Sequence, residues 1–350
     1  MAEVTKEQIE AAIKGYIEPH MEKNLVDAKC VKAMNIDGGS VSVTVELGFP
    51  SDGIKQALAA AVKDCVASVD GVSSVEVNVG WKVVAHSVQK SLKPIDNVKN
   101  IIAIASGKGG VGKSTTAVNM ALALAAEGAK VGILDADIYG PSQPRMLGVS
   151  GQPESKDGKS LEPMEAYGLQ AMSIGFLVDE ETPMIWRGPM VTQALEQLLN
   201  DTNWASLDYL IIDLPPGTGD TQLTLAQKVP VSGAVIVTTP QDIALLDARK
   251  GFKMFEKVEV PVLGIVENMS THICSNCNHE EHIFGEGGGK RMAEQYGVDF
   301  LGGLPLDIRI REETDGGKPT VVAEPDSRIS QIYREISRNT TAKLALQAKN

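Results

Sequence analysis

Apolar positions along the chain keep helical spacing over residues 5–17, then switch to strand-like runs over 26–36 and 40–47 around the turn Asp37-Gly38-Gly39. In the second run Val41, Val43 and Val45 share one face, and the two runs predict a hairpin. Residues 54–66 return to helical spacing, and 72–79 alternate again after the Asp70-Gly71 turn. A small α+β unit is expected. Residues 82–99, with Lys, Ser, Asn and one Pro, lose the periodicity and read as a polar connector. From 101 onward, short β-branched runs at 101–105, 130–134, 169–174, 209–212, 234–238, 262–266 and 300–304 alternate with helical stretches. That alternation predicts an α/β fold with a doubly wound, mostly parallel sheet, its chemistry gathered at the carboxyl ends of the strands. The expected division is a small α+β domain over 1–85, a linker over 86–99 and the α/β domain over 100–350. A last helical pattern puts Ile329, Ile332, Tyr333 and Ile336 on one face, which is expected to dock on the sheet rather than lie on a membrane.

With 350 residues, 43% of them hydrophobic, the chain can fill one large core and one small one. Against 45 Asp and Glu stand 33 Lys and Arg, a net charge of −12, and aromatic residues make up only 4%. Neither a cationic footprint for nucleic acid nor an aromatic stacking platform is visible, so no nucleic-acid partner is expected. No apolar run approaches the ~20 residues of a bilayer span, and residues 1–7 carry neither a secretory nor a transit pattern. The expectation is a cytoplasmic protein without a membrane partner.

The run 101–105 leads into Gly107, Lys108, Gly109, Gly110, Val111, Gly112, Lys113, Ser114 and Thr115, and residues 117–126 read as a helix. Strand, glycine loop and helix fit G-x-x-x-x-G-K-[ST], in which backbone N–H groups turn inward around phosphate and the helix adds its positive end. Lys113 is then expected to neutralise the β- and γ-phosphates of ATP, and the Ser114 hydroxyl to sit on Mg²⁺. Lys108 is not needed to cradle phosphate within one chain. The apolar run 210–212 ends in Asp213, a carboxylate suited to holding Mg²⁺ directly or through water. The turn Leu214-Pro215-Pro216-Gly217-Thr218-Gly219-Asp220 is either a rigid proline corner or a loop that senses the γ-phosphate.

Cys30 and Cys65 fall in apolar patterns and read as core thiols. Cys274 and Cys277, spaced C-x₂-C, can face one metal, yet two thiolates do not complete a tetrahedral site. Either a two-fold dimer brings four cysteines around an iron–sulfur cluster, or Cys274, Cys277, His279 and His282 bind zinc in one chain. A disulfide or an unused pair is the remaining alternative.

The glycine loop with Lys108 resembles the deviant-Walker-A family of P-loop NTPases, which includes nitrogenase iron protein and MinD and ParA-type ATPases. That resemblance implies that Lys108 reaches across a homodimer to the partner's nucleotide. It also implies that Asp137, ending the run after 131–134, orients the attacking water, with Asp135 able to exchange roles, and that Asn268 contacts adenine. An asparagine there could equally close a turn. Residues 3–85, through the stretches 17–26 and 71–75, resemble the small iron–sulfur-assembly domain fused in front of Mrp-type ATPases. Some such domains carry a reactive cysteine after the second strand, where this chain has Phe49, Pro50, Ser51 and Asp52. Together with Cys274-Ser275-Asn276-Cys277, the set resembles the Mrp/ApbC-type iron–sulfur carrier ATPases over nearly the whole chain. The resemblance implies a homodimer that takes a labile [4Fe–4S] cluster from a donor, holds it at the interface and passes it to apo-proteins, with ATP hydrolysis coupled to transfer. The rival is a MinD- or ParA-like positioning or partitioning ATPase with a structural zinc site, which shares Lys108, Lys113, Asp137 and Asp213.

Overall fold

A computed structural model describes residues 4–89, 92–178, 188–274, 276–277 and 279–347. Residues 1–3, Lys90 and Ser91 of the connector, and Ser275 and Asn278 of the cysteine loop lie outside the described residues. The chain begins with α1 (Lys6–Lys14), where the Thr5 hydroxyl accepts from the Gln8 N–H and the Gln8 side chain accepts from the Thr5 N–H. A two-residue ladder joins β1 (Ile17–Glu18) and β2 (Lys23–Asn24). The expected hairpin forms from β3 (Val31–Asp37) and β4 (Ser40–Leu47), but it starts at residue 31 rather than 26. Ahead of it the chain turns: Lys29 takes φ 56°, and the N–H groups of Ala28, Lys29 and Cys30 bond back to the carbonyls of Asn24, Val26 and Leu25. Next, α2 (Lys55–Ala67) crosses over to β5 (Ser74–Trp81), which pairs with β4 in parallel. Ile9 and Ile13 of α1 and Leu58 and Val62 of α2 are buried with Val41, Val43 and Val45.

The large sheet opens with β6 (Val98–Ala105), so Val98 and Lys99 belong to a strand rather than to the connector. In order follow α3 (Lys113–Ala126), β7 (Val131–Asp135), α4 (Gln143–Met146), β8 (Met164–Ala166), β9 (Leu169–Ser173), α5 (Gly188–Asn200), β10 (Leu207–Asp213), α6 (Asp220–Lys228), β11 (Gly233–Thr238) and α7 (Asp242–Lys257). The last part comprises β12 (Val262–Ile273), β13 (Glu280–Glu281), α8 (Gly288–Tyr296), β14 (Phe300–Leu306), α9 (Ile308–Asp315), α10 (Thr320–Ala323) and α11 (Arg328–Ala345). The strands run β13-β12-β11-β6-β10-β7-β9-β8, with β14 also on β12. Among the described strands of this sheet only β8 and β13 pair antiparallel, so the mostly parallel, doubly wound sheet is as expected. Side chains alternate faces along a strand. Ile102 and Ile104 therefore pack with α3 and α11, and Ile101 and Ala103 with α5, α6 and α7.

Ile329, Tyr333 and Ile336 of α11 are buried in the main core, the docking expected of that helix. Its end enters the small unit, where Ala342 and Leu346 pack with Val43 and Phe49. The seam beside them is charged. His20 lies between Glu18 at 2.6 Å and Glu335 at 3.2 Å, and Arg338 joins Glu335 at 3.2 Å to Glu127 at 2.9 Å. Glu127 in turn accepts the Gly53 N–H at 2.8 Å. Burial works against charge on His20, but the two carboxylates outweigh it and lift its pKa to about 9.

A histidine whose value is raised on folding contributes stability that is complete below its unfolded value, about 6.5, and lost as pH climbs through the folded one. Urea unfolding of the full chain should therefore show stability falling between about pH 6.5 and 9, by on the order of 3 kcal/mol. His20→Gln should flatten that slope; an unchanged slope would place the pH dependence elsewhere.

Candidate functional site

Two glycines of the loop are required by close approach. A Cβ on Gly107 would lie 2.1 Å from the Asp247 carbonyl carbon in α7, and one on Gly112, at φ +82°, would lie 2.1 Å from the Asn268 side-chain nitrogen. Asn268 donates from Nδ2 to the Val111 carbonyl at 2.8 Å, which ties β12 to the loop. The Ser106 hydroxyl donates to the Lys108 carbonyl at 2.9 Å, and the Thr116 hydroxyl to that of Gly112 at 2.8 Å. The loop thus delivers the chain to the N-terminus of α3, where free N–H groups and the helix dipole favour an anion.

Lys113 is buried; its ammonium pairs with Asp213 and lies 3.1 Å from the Ser114 hydroxyl. The other Asp213 oxygen accepts from Gln143 Nε2 at 2.9 Å, and that nitrogen also donates to the Ser114 carbonyl at 3.2 Å. Asp135 is the Cα partner of Asp213 on the neighbouring strand. Burial, then the Asp213 charge, raise its pKa. Its carboxylate is already engaged, accepting from the N–H groups of Asp137, Ser142 and Gln143 at 3.1, 2.9 and 3.0 Å and from the Ser173 hydroxyl at 3.2 Å. Asp137 is half-buried, its pKa raised by burial against the opposing pull of Lys113. It lines a cavity of roughly 180 Å³ with Tyr139, Pro215, Pro216, Gly219 and Gln222. The two acids thus differ in setting: Asp135 organises the loop after β7, and Asp137 borders open space.

A second cavity, of roughly 170 Å³, is lined by Gly112, Thr115, Asn268, Pro305, Leu306 and Arg311. Its last three residues escaped the sequence reading, because β14 and α9 reach the loop only through the parallel pairing of β14 with β12. Lys108 is partly exposed, and its ammonium makes no ion pair among the described residues.

Strand β12 continues to Ile273 instead of ending at 266. Its register on β14 shifts between Glu267 and Thr271, where Met269 takes φ 57°, and its far end pairs with β13. The Cys274 N–H donates to the His279 carbonyl at 3.0 Å and closes a hairpin bearing Cys274, half-buried, and Cys277, exposed, both free thiols. The N–H groups of Asn276 and Cys277, then the Cys277 thiol, lower the Cys274 pKa and favour its thiolate. His282 donates from Nδ1 to the Ser270 carbonyl at 2.7 Å. Among the described residues, no three His, Cys, Asp or Glu side chains form a metal-holding group. Cys30 is buried in the core of the small unit, as expected, whereas Cys65 is only half-buried on α2.

A family model for the NUBPL iron-transfer P-loop NTPases matches residues 97–341, and one for an iron-sulfur cluster assembly protein matches residues 6–79. The chain is 61% identical over 274 residues to the iron-sulfur cluster carrier protein of Pseudomonas fragi, covering 78% of this chain and 96% of that protein. To the iron-sulfur cluster carrier protein of Haemophilus influenzae it is 51% identical over 341 residues, covering 97% and 92%. A solved nucleotide-binding protein from Archaeoglobus fulgidus, in complex with ADP, is 39% identical with a TM-score of 0.58, over 66% of this chain and 90% of that one. The cell division ATPase MinD of Pyrococcus furiosus, 22% identical with a TM-score of 0.52 over 69% of this chain and 97% of its own, shares the fold. On the length and identity of these matches, the chain belongs to the NUBPL iron-transfer P-loop NTPase family.

Proposed function

We propose that this protein is an ATPase that carries a labile [4Fe–4S] cluster, its cargo, between two copies of the chain and passes it from a donor to apo-proteins. The observation that carries the reading is strand β12, whose Asn268 holds the glycine loop at Val111 and whose end runs straight into Cys274. Nucleotide loop and thiol hairpin therefore sit on one strand, less than about 20 Å apart, since the shift at Met269 shortens a run of about 3.3 Å per residue. Each chain offers two thiols at that hairpin, and a two-fold axis supplies the other pair that a four-thiolate cluster needs. The cargo agrees with the names of the relatives, and the nucleotide with the ADP complex of the solved one.

In this reading the loop N–H groups and Lys113 bind the phosphates, Asn268 contacts adenine and Asp137 orients the attacking water. Lys108, which makes no ion pair among the described residues, reaches the partner's nucleotide and stabilises charge on the transferring phosphoryl group. The Ser114 hydroxyl and the Asp213 carboxylate both adjoin the Lys113 ammonium, a hard-oxygen pair that fits Mg²⁺, which when bound offsets phosphate charge. The small domain over 1–85 is joined by the connector to the ATPase domain, whose first strand β6 starts at Val98. The protein acts in the cytoplasm with neither a nucleic-acid nor a membrane partner; among the described residues no helix is long and apolar enough to cross a membrane.

Calorimetry and turnover on single variants separate the roles. Lys113→Ala should abolish Mg·ATP binding, whereas Lys108→Ala and Asp137→Asn should keep affinity within about threefold and lose hydrolysis by about 100-fold or more. Equal loss of binding in both lysine variants would remove Lys108 from the partner's site, and parental turnover in Asp137→Asn would move water orientation to Asp135 or another group.

Anaerobic reconstitution should give a dimer with about two irons per chain and no stoichiometric zinc. Cys274→Ser or Cys277→Ser alone should empty it, since symmetry removes two of four thiolates at once, while joint replacement of His279 and His282 should spare the iron. One zinc per monomeric chain, lost with those histidines, would overturn the carrier reading.

A further inference from the structure

Gln222 lies in the first turns of α6, just past the proline turn that follows Asp213. It is 2% exposed, and both ends of its amide, Nε2 and Oε1, are buried without a hydrogen-bond partner among the described residues. A buried amide left unpaired at both ends bears the full desolvation penalty of each group, which an apolar side chain of the same shape avoids. A glutamine buried in this way calls for a polar partner beyond the described side chains. Gln143 offers the contrast: its nitrogen serves both Asp213 and the Ser114 carbonyl, which accounts for an amide at that position, and only its oxygen lacks a partner.

The surroundings of Gln222 indicate what the partner is. The side chain lines the roughly 180 Å³ cavity that Asp137 also borders, several times the ~30 Å³ share of one water. This cavity adjoins the phosphate loop, because the Gly217 N–H donates to the Ser106 carbonyl at 3.0 Å and Pro216 lies 4.0 Å from where a Cβ on Gly109 would stand.

We propose that Gln222 is a further catalytic residue of the ATPase: its amide oxygen accepts from the attacking water alongside Asp137, and its amide nitrogen donates to a γ-phosphate oxygen. The inference rests on the ATPase reading above. A water has two hydrogens, and fixing its lone pair on phosphorus takes two acceptors; the loop after β7 and the start of α6 supply one each. As the water oxygen bonds to the γ-phosphorus, the bond from that phosphorus to the β,γ-bridging oxygen breaks, and the bridging oxygen leaves on ADP with the electron pair. One water proton passes to Asp137 and on to solvent, leaving hydrogen phosphate. Gln222 exchanges no proton; it orients the water and stabilises charge on the equatorial oxygens.

The test uses the full chain, its Gln222→Met and Gln222→Glu variants, ATP binding, thermal melting and single-turnover hydrolysis. Gln222→Met removes both unpaired groups at nearly constant volume, so it should melt at the same or a higher temperature and hold ATP within about threefold, while hydrolysing it about 100-fold more slowly. A structural role moves these readouts the other way, lowering the melting temperature and sparing the rate. Should the Met variant fail to fold, Gln222→Glu decides, because it loses the donor to phosphate; a rate at least about tenfold down supports the assignment and a parental rate overturns it. Parental hydrolysis in Gln222→Met overturns the Gln222 assignment and leaves the ATPase standing, whereas ATP bound without turnover in the unaltered chain overturns the ATPase reading itself.

Discussion

Burying the Lys113 ammonium against the Asp213 carboxylate is the constraint from which the site is built. Two ions withdrawn from water are tolerated only when their remaining hydrogen-bonding capacity is filled, and removing one partner leaves an uncompensated charge. Here the Ser114 hydroxyl and the Gln143 amide fill it, so α3 and α4 must both come up against the end of β10. The parallel register places a second carboxylate, Asp135, directly beside Asp213, where like charges repel. Four donors from the loop after β7 and from β9 hold that acid, and holding it shapes the loop that carries Asp137. One buried ion pair thus sets the positions of three strand ends.

The other arm of the site depends on β12. A strand that stopped at 266 would still close the sheet on β11, but it would present neither Asn268 to the loop nor a platform for the thiols. Continuing to Ile273 requires a neighbour on each side: β14 supplies one along most of the length, and β13 the other at the tip. The register shift around Met269, where residues 268–270 leave the ladder with β14, lets the strand bend between these two partnerships.

The parts legible in the sequence are those whose physics is local. Apolar runs long enough to show a period placed the inner strands of the sheet, and the glycine spacing with its lysine placed the loop, because each motif is defined by neighbours in the chain. The two-to-three-residue strands β8 and β13 are too short to have a period. The far half of β12, Asn268-Met269-Ser270-Thr271-His272-Ile273, has no apolar alternation because it is half-buried on both faces. Gln143, Gln222, Pro305 and Arg311 are brought to the site only by the fold, and nothing beside them in the sequence announces it. The His20 latch is the extreme instance, since one of its carboxylates comes from Glu335 at the other end of the chain.

Helix α3 links the loop to that latch. Gly112 caps its N-terminus and Glu127 its C-terminus, where the helix dipole disfavours a carboxylate. Glu127 is nevertheless fully buried, which is sustainable only because Arg338, the more distant Arg334 and the Gly53 N–H surround it. One of those three comes from the small unit, so the seam and the helix end stabilise each other. The loop at the front of α3 is in turn gripped by Asn268 on the strand that leads to Cys274. A nucleotide that prefers one loop geometry over another therefore works against two stiff elements at once, α3 toward the small unit and β12 toward the thiols. Its leverage on either is bounded by the difference in its affinity for the two geometries.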